Sequence, residues 1–312
     1  MAKPLTNIVF TRNRPLQLAG YLESFLRHMG DAVERVDVLY KKDLFASEYE
    51  QVFAAFPQCH VIVEKDFHDD FLVALSEIDS EYMMFATDDV VYFDSVDFSA
   101  VEQTFARYED IFGFTLKFGT QYFEDGCDRI AEEAIDGQRV YKVNWATARD
   151  VAANYPWELN STVYRTSFVR DFLRPFSQEK RVLKRIFAPD SLALKLAGLI
   201  TSRKRILYAV STFRDPNSLE GLGWRRCRGH KSRLPASLYF QRMCATTLQV
   251  NRVNTVVANP VYGGQEHSVE TLNEKFRQGY RLDTAYLEAN KPTGVRMGQE
   301  HFRLRKAVAD TP

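Results

Sequence analysis

Tyr82-Met83-Met84-Phe85-Ala86-Thr87-Asp88-Asp89 is the stretch whose reading decides the fold. Five apolar residues in a row, without alternation, predict a strand buried on both faces, the position of a central strand in a parallel sheet. Two adjacent carboxylates end it. At the mouth of a buried strand they repel each other, which raises one pKa. A hard divalent cation relieves that repulsion, because Mg2+ typically takes one or two carboxylates together with substrate phosphates. Asp94, past the next apolar run, is a further ligand or the cap of a helix expected over residues 98–108.

Working outward, the first 80 residues alternate between the two periodicities. Strands are expected at 7–11, 36–40 and 60–63. Pro15 opens an amphipathic helix carrying Leu18, Leu22, Phe25, Leu26 and Met29, and further helices are expected over 48–56 and 69–78. Strands separated by helical segments are βαβ units and predict a mostly parallel sheet. Ligands of such sheets bind beyond the carboxyl ends of the strands. The polar clusters Arg12-Asn13-Arg14, Asp43 and Asp88-Asp89 fall at those ends. No G-x-G-x-x-G follows the first strand, which disfavours a dinucleotide site, and there is no G-x-x-x-x-G-K-[ST] phosphate loop.

Composition is that of an ordinary globular protein: 312 residues, 45% hydrophobic, 13% aromatic and 26% charged. Collagen, disordered tails and multi-span membrane proteins are thereby excluded. The 41 basic and 41 acidic side chains cancel, but unevenly along the chain. Residues 1–136 hold 11 Lys/Arg and 27 Asp/Glu, and residues 137–312 hold 30 and 14. No signal-peptide-like apolar region is expected ahead of the first strand. The longest apolar stretch, Leu192 to Ile200, is interrupted by Lys195 and falls short of the ~20 residues of a spanning helix. Cys59, Cys127, Cys227 and Cys244 are scattered without a C-x-x-C pair, as expected of reduced thiols in a cytoplasmic protein.

Thr11-Arg12-Asn13-Arg14-Pro15 after the first strand, Asp43 after the second and Ala86-Thr87-Asp88-Asp89-Val90 after the central one together resemble nucleotide-sugar glycosyltransferases of the GT-A fold, bacterial family-2-like. The resemblance implies an α/β, doubly wound, mostly parallel sheet with a mainly helical C-terminal extension. On that pattern residues 1–175 form the nucleotide-sugar-binding and catalytic core, and 176–312 a basic, acceptor-side extension with a closing loop. Thr11, Arg12, Asn13, Arg14, Asp43 and Asp88 would contact the nucleoside of a UDP- or GDP-type donor. Asp89, with Asp88, would hold Mn2+ or Mg2+ against the diphosphate. The sequence departs from a strict D-x-D in one respect: Thr87 stands where the first Asp would be.

For the acceptor side, Trp145, Tyr155 and Trp157 could stack on a sugar ring or pack in the core, and Asn160 is a polar neighbour of Trp157. A base must be a carboxylate or His near the acceptor hydroxyl. The helix start Asp215-Pro216-Asn217-Ser218-Leu219-Glu220 reads on its own as an N-terminal cap, but Pro216-Asn217-Ser218-Leu219-Glu220 resembles the segment where inverting GT-A enzymes carry their base, so Glu220 is preferred. Glu158 is the second candidate; in a retaining enzyme neither need act as base. His267, in the Gly-rich stretch Gly263-Gly264-Gln265-Glu266-His267, could complete the metal site or be merely exposed, and His230 among arginines is a weaker candidate.

Basic residues interleave with apolar ones from Glu179 to Arg205, including Lys180, Arg181, Lys184, Arg185, Lys195, Arg203, Lys204 and Arg205. Such a segment suits an anionic membrane surface, as for a lipid-linked acceptor, or a solvated helix packed on the sheet. No nucleic-acid module is recognisable, and no nucleic-acid partner is expected. The expected activity is metal-assisted transfer of a sugar to the hydroxyl of a saccharide or lipid-linked acceptor. Its rivals are a nucleotidyl- or phosphotransferase using the same acidic strand end, and a non-catalytic nucleic-acid or membrane-surface binding protein.

Overall fold

The structure, a computed structural model, describes residues 3–122, 129–135, 137–177, 186–187, 191–202, 206, 214–230, 233–254 and 260–307. Lys180, Arg181, Lys184, Arg185, Arg203, Lys204, Arg205 and Cys127 lie outside the described residues.

The first half obeys the βαβ pattern. β1 (Leu5–Thr11), α1 (Pro15–Met29), β2 (Val33–Tyr40), α2 (Ala46–Ala55), β3 (His60–Val63), α3 (Phe67–Ser76) and β4 (Tyr82–Thr87) succeed one another. Pro15 begins α1, where its fixed φ suits the helix and its missing N–H is no loss. Asp66 caps α3 by accepting from the N–H groups of His68 and Asp69. The remaining strands are β5 (Val90–Tyr92), β6 (Ile111–Thr115), β7 (Arg129–Ile135), β8 (Gln138–Asn144), β9 (Thr162–Arg165), β10 (Ala236–Phe240), β11 (Ala245–Leu248), β12 (Tyr280–Leu282), β13 (Arg296–Met297) and β14 (Leu304–Lys306). The other helices are α4 (Phe98–Arg107), α5 (Thr166–Ser177), α6 (Leu192–Ile200), α7 (Pro216–Cys227), α8 (Val269–Arg277) and α9 (Thr284–Ala289).

Nine strands form the main sheet in the order β3-β2-β1-β4-β9-β6-β10-β8-β7. β3, β2, β1 and β4 are mutually parallel, as are β6 and β10, while β9 and β8 run the other way. The apolar β4 is central, with Met83, Met84, Phe85 and Ala86 all inaccessible to solvent. Period-two alternation sorts β1 between two cores. Leu5 and Val9 join α1, α2 and α4 on one face, and Ile8 and Phe10 join α3, α5 and α7 on the other.

One expectation is corrected by this topology. β10 lies between β6 and β8, so the sheet runs through the boundary expected near residue 175. β7 ends the sheet, paired antiparallel with β8, and β11 stops at Leu248, after which residues 249–254 are irregular. β9, with the β-favouring run Thr162-Val163-Tyr164, lies between β4 and β6 and antiparallel to both. Among the described residues no helix is long and apolar enough to cross a membrane.

Ion pairs join the acidic first half to the basic second half: Arg277–Glu48, Arg305–Glu23 at 2.9 Å, Lys291–Asp94 at 2.6 Å and Lys142–Asp110 at 2.7 Å. Asp94 is thus held by Lys291. It neither lines the acidic strand end nor caps α4, whose cap is Asp97.

The Trp157 indole is the keystone of the second core, packed by Phe85, Tyr164 and Phe172 and donating from Nε1 to Leu219 O of α7 at 3.3 Å. Gly223 faces it one turn further along α7, where a Cβ would stand 2.0 Å from Trp157 Nε1. Gly223→Ala is therefore expected to destabilise the fold by about 2 kcal/mol or more through overpacking, read as a lower urea midpoint; an unchanged midpoint would contradict this packing.

Candidate active site

One cavity of about 270 Å³ opens beyond the carboxyl ends of β1, β2 and β4. Its floor comes from Phe10, Thr11, Leu39 and the Thr87-Asp88-Asp89 turn, and Lys41, Glu64 and Phe67 bound its β3 side. The start of α7, from Arg214 to Glu220, and residues 247–254 with Pro260 supply the remaining walls. The parallel register explains the floor. Phe10 stands beside Thr87 and Thr11 beside Tyr40, so the loops after three neighbouring strands leave the sheet abreast.

Asp88 is buried with no exposed side-chain surface. Thr11 Oγ1 donates to its Oδ2 at 2.7 Å, the Arg12 N–H donates to the same oxygen at 3.4 Å, and Arg14 Nη2 pairs with Oδ1. Burial raises the Asp88 pKa, Arg14 opposes this, and Asp89 adds repulsion. Arg14 bridges the pair, its Nη1 lying 2.9 Å from Asp89 Oδ2. Burial works against the Arg14 charge, but the two carboxylates outweigh it and raise its pKa. Tyr49 of α2 fixes the loop by accepting from the Arg14 N–H at 3.0 Å and meeting Thr11 Oγ1 at 2.7 Å. Asp89 is the more open carboxylate. Its Oδ1 accepts from Thr87 Oγ1 at 2.6 Å, and that hydroxyl also meets Asn160 Oδ1 at 2.5 Å. Thr87, the departure from D-x-D, thus orients Asp89.

These donors decide how the site fits a divalent cation. Asp88 and Asp89 both line the cavity and both pair with Arg14; Asp88 has no exposed side-chain surface and Asp89 is 14% exposed, so Asp89 is the more accessible hard oxygen donor for Mn2+ or Mg2+ completed by phosphate oxygens. His267 is not a lining residue: its ring packs edge-on to Phe302, and Nδ1 lies 3.2 Å from Glu266 Oε1. Asp66, His68 and Asp69 bring ligand atoms within 4.8 Å of one another, but the α3 cap accounts for that cluster.

The two base candidates differ sharply. Glu158 is consumed by an ion pair with the buried Lys117, Oε2 to Nζ at 2.6 Å, and accepts from Thr162 at 2.7 Å. It does not line the cavity. Glu220, half-buried in the second turn of α7, does. Burial pushes its pKa up to about 7, with Glu158 repelling and Lys117 opposing. Asp215 is the cap of α7, accepting from the Ser218 N–H at 2.7 Å, so the capping role belongs to Asp215 and leaves Glu220 available.

Among the other expected residues, Arg12 and Asn13 hold Asp43 at 2.7 Å and 3.1 Å, and these bonds, Arg12 first, keep its pKa below the ordinary range. Arg12 lines the cavity; Asn13 and Asp43 brace it from outside. Asn160 lines the cavity as well. Trp157 and Trp145 are corrected to core residues, each with no exposed surface and its N–H bonded to a backbone carbonyl. Tyr155 packs on Trp224. His230 lies elsewhere, its Nδ1 3.2 Å from Arg226 O. Sequence reasoning missed Tyr49, Lys117, Arg214, Thr247 and Asn251. Asn251 carries no motif signal, yet it ties the cavity wall together by accepting from Gln17 at 3.2 Å and donating to His267 O at 2.8 Å.

No protein-family model matches the chain. Over 179 residues it is 26% identical to "Bifunctional glycosyltransferase pgtA" of Dictyostelium discoideum, covering 51% of this chain and 23% of the relative. The chain therefore spans about a quarter of that relative's length. Among solved structures, S. aureus TarS 1-349 in complex with UDP-GlcNAc is similar at 15% identity and TM-score 0.36, over 54% of this chain and 46% of that one. Mannosyltransferase PcManGT from Pyrobaculum calidifontis, in complex with GDP-Man and Mn2+, is similar at 10% identity and TM-score 0.36, over 73% and 69%.

The raised Glu220 pKa has a signed consequence. A carboxyl whose pKa rises from 4.5 in the unfolded chain to about 7 in the fold favours the folded state below pH 4.5, and that contribution is lost as pH rises through 7. Glu220→Gln, which stays neutral, should gain stability relative to the parent between pH 4.5 and 8, measured by urea unfolding. A pH-independent difference would contradict the burial of this carboxyl.

Proposed function

We propose that the chain is a glycosyltransferase that moves a sugar from a nucleotide-sugar donor to a hydroxyl acceptor, assisted by a divalent cation. The observation that carries this reading is the meeting, in one cavity at the carboxyl ends of parallel strands, of the open carboxylate Asp89 and the raised-pKa carboxyl Glu220. The sequence similarity to a glycosyltransferase supports it.

Asp89 would hold Mn2+ or Mg2+, which when bound stabilises charge on the departing diphosphate. Thr87 and Arg14 hold the Asp89 carboxylate, and Asp88 with Thr11 and Arg14 forms the floor on which the nucleoside diphosphate lies. Arg12, Asn13 and Asp43 form the edge beside the nucleoside. Arg12, Lys41 and Arg214 bring positive charge to the cavity lining and favour the diphosphate leaving group. Glu220 accepts the proton of the acceptor hydroxyl as its oxygen bonds to the anomeric carbon and the bond from that carbon to the diphosphate oxygen breaks. A base with pKa about 7 is matched to work near neutral pH. This assignment makes the transfer inverting.

The donor is of UDP or GDP type, and the acceptor a saccharide or lipid-linked saccharide handled in the cytoplasm or at the inner membrane face. Leu192, Leu196, Leu199 and Ile200 are exposed on α6, in a stretch rich in Lys and Arg, which supports contact with a membrane surface. A nucleotidyl- or phosphotransferase would use the same acidic strand end but would release pyrophosphate from a triphosphate.

Screening nucleotide sugars with Mn2+ should give a rise in Tm and release of nucleoside diphosphate. Asp89→Ala should abolish the Mn2+-dependent part of that rise. Glu220→Gln should keep donor binding while transfer falls about 10²- to 10⁴-fold. No Tm response to any nucleotide sugar or diphosphate would sink the reading.

A further inference from the structure

Arg14 is the charged group at the acidic strand end that no catalytic step uses. It is also the best-held: its side chain is 10% exposed, its guanidinium spans both Asp88 and Asp89, and its N–H is tied to Tyr49. Pro15 comes directly after it and starts α1, so the residue is anchored at the junction of a strand loop and a helix.

The charges have a simple balance. Two bare carboxylates would carry two negative charges and attract a hard cation on their own. Arg14 cancels one of them, and a guanidinium does not release its proton to make way. At Asp89 both oxygens already have donors, Arg14 Nη1 at 2.9 Å and Thr87 Oγ1 at 2.6 Å. A divalent cation arriving alone has only the remaining lone pairs of Asp89 to bind and must sit beside a fixed positive charge. A nucleoside diphosphate changes that sum, because its phosphates bring negative charge and the oxygen ligands that a single carboxylate cannot supply.

We propose that Arg14 is a positioning residue that makes divalent-cation binding at Asp89 conditional on the nucleoside diphosphate. The inference rests on the proposed donor site and adds an order to its assembly: the cation and the nucleotide bind together or weakly. Coupling of this kind is reciprocal, so the cation raises nucleotide affinity by the same factor as the nucleotide raises cation affinity. A lysine at this position could neutralise one carboxylate but could not span the two, because its ammonium is a point charge.

The test is titration of the full chain with Mn2+, free Mn2+ being tracked by its paramagnetic resonance signal, alone and with saturating UDP or GDP. The wild-type protein is expected to bind Mn2+ weakly by itself and at least about tenfold more tightly with one of the nucleotides. Arg14→Gln should tighten nucleotide-free Mn2+ binding about tenfold and shrink the coupling, and Arg14→Lys should fall between. Circular dichroism checks that each variant is folded; if Arg14→Gln is not, Arg14→Lys carries the comparison. Equal Mn2+ affinity with and without nucleotide in the wild type overturns the proposal, as does unchanged coupling in the folded variants. If neither UDP nor GDP binds with or without Mn2+, the glycosyltransferase reading falls and this inference with it. Nucleotide binding without coupling removes this inference alone.

Discussion

The ion pairs between Arg14 and the Asp88-Asp89 turn are the constraint around which the site is arranged. Parallel pairing of β1 and β4 brings the loop after Thr11 and the turn after Thr87 side by side, so their charges meet whether or not a ligand is present. A buried carboxylate without a partner is costly, and breaking such a pair from one side typically costs about 3–5 kcal/mol. Arg14 supplies the partner from the loop just past β1, and Tyr49 of α2 holds that loop. α2 meets this cluster through Tyr49, and of the two carboxylates Asp89 keeps the more exposed side chain.

A second buried pair does comparable work on the opposite wall. Lys117 and Glu158 pair near α7, and Glu220 combines its own burial with repulsion from Glu158, which Lys117 partly offsets. Its proton affinity rises for that reason. Asp89 is braced by a guanidinium and a hydroxyl, and Glu220, elsewhere in the cavity lining, is pushed toward its neutral form.

The charge asymmetry of the two halves is settled partly within the fold. Lys142, Arg277, Lys291 and Arg305 of the basic half pair with Asp110, Glu48, Asp94 and Glu23 of the acidic half. The more exposed pairs, such as Arg305–Glu23, contribute little stability each, about 0–1 kcal/mol, whereas Glu48 is buried beneath its arginine. Through Arg277 and Arg305 the C-terminal segments dock on α2 and α1 of the first half.

Local pattern alone determined the first four strands, the helices between them, the centrality of β4 and the polar loop ends. Each is a short-range matter of periodicity, turn chemistry and an unbroken apolar run; the roles expected of Arg12, Arg14, Asp89 and Glu220 come from the resemblance of their segments to nucleotide-sugar glycosyltransferases. Tertiary structure decided which of those residues share a cavity. Asp88 and Asp89 are adjacent and chemically identical in sequence, and only packing against Thr11 and Arg14 makes one a buried floor and the other a cavity wall. Trp157 and Glu158 look like a sugar platform and a base until Phe85, Phe172 and Lys117 close around them. The places of β9 and β10 in the sheet come from partners distant in sequence, and Lys117 and Asn251 matter because of what they touch across long sequence separations. Burial and ion pairing depend on every segment that arrives at a point, and no window of sequence contains that information.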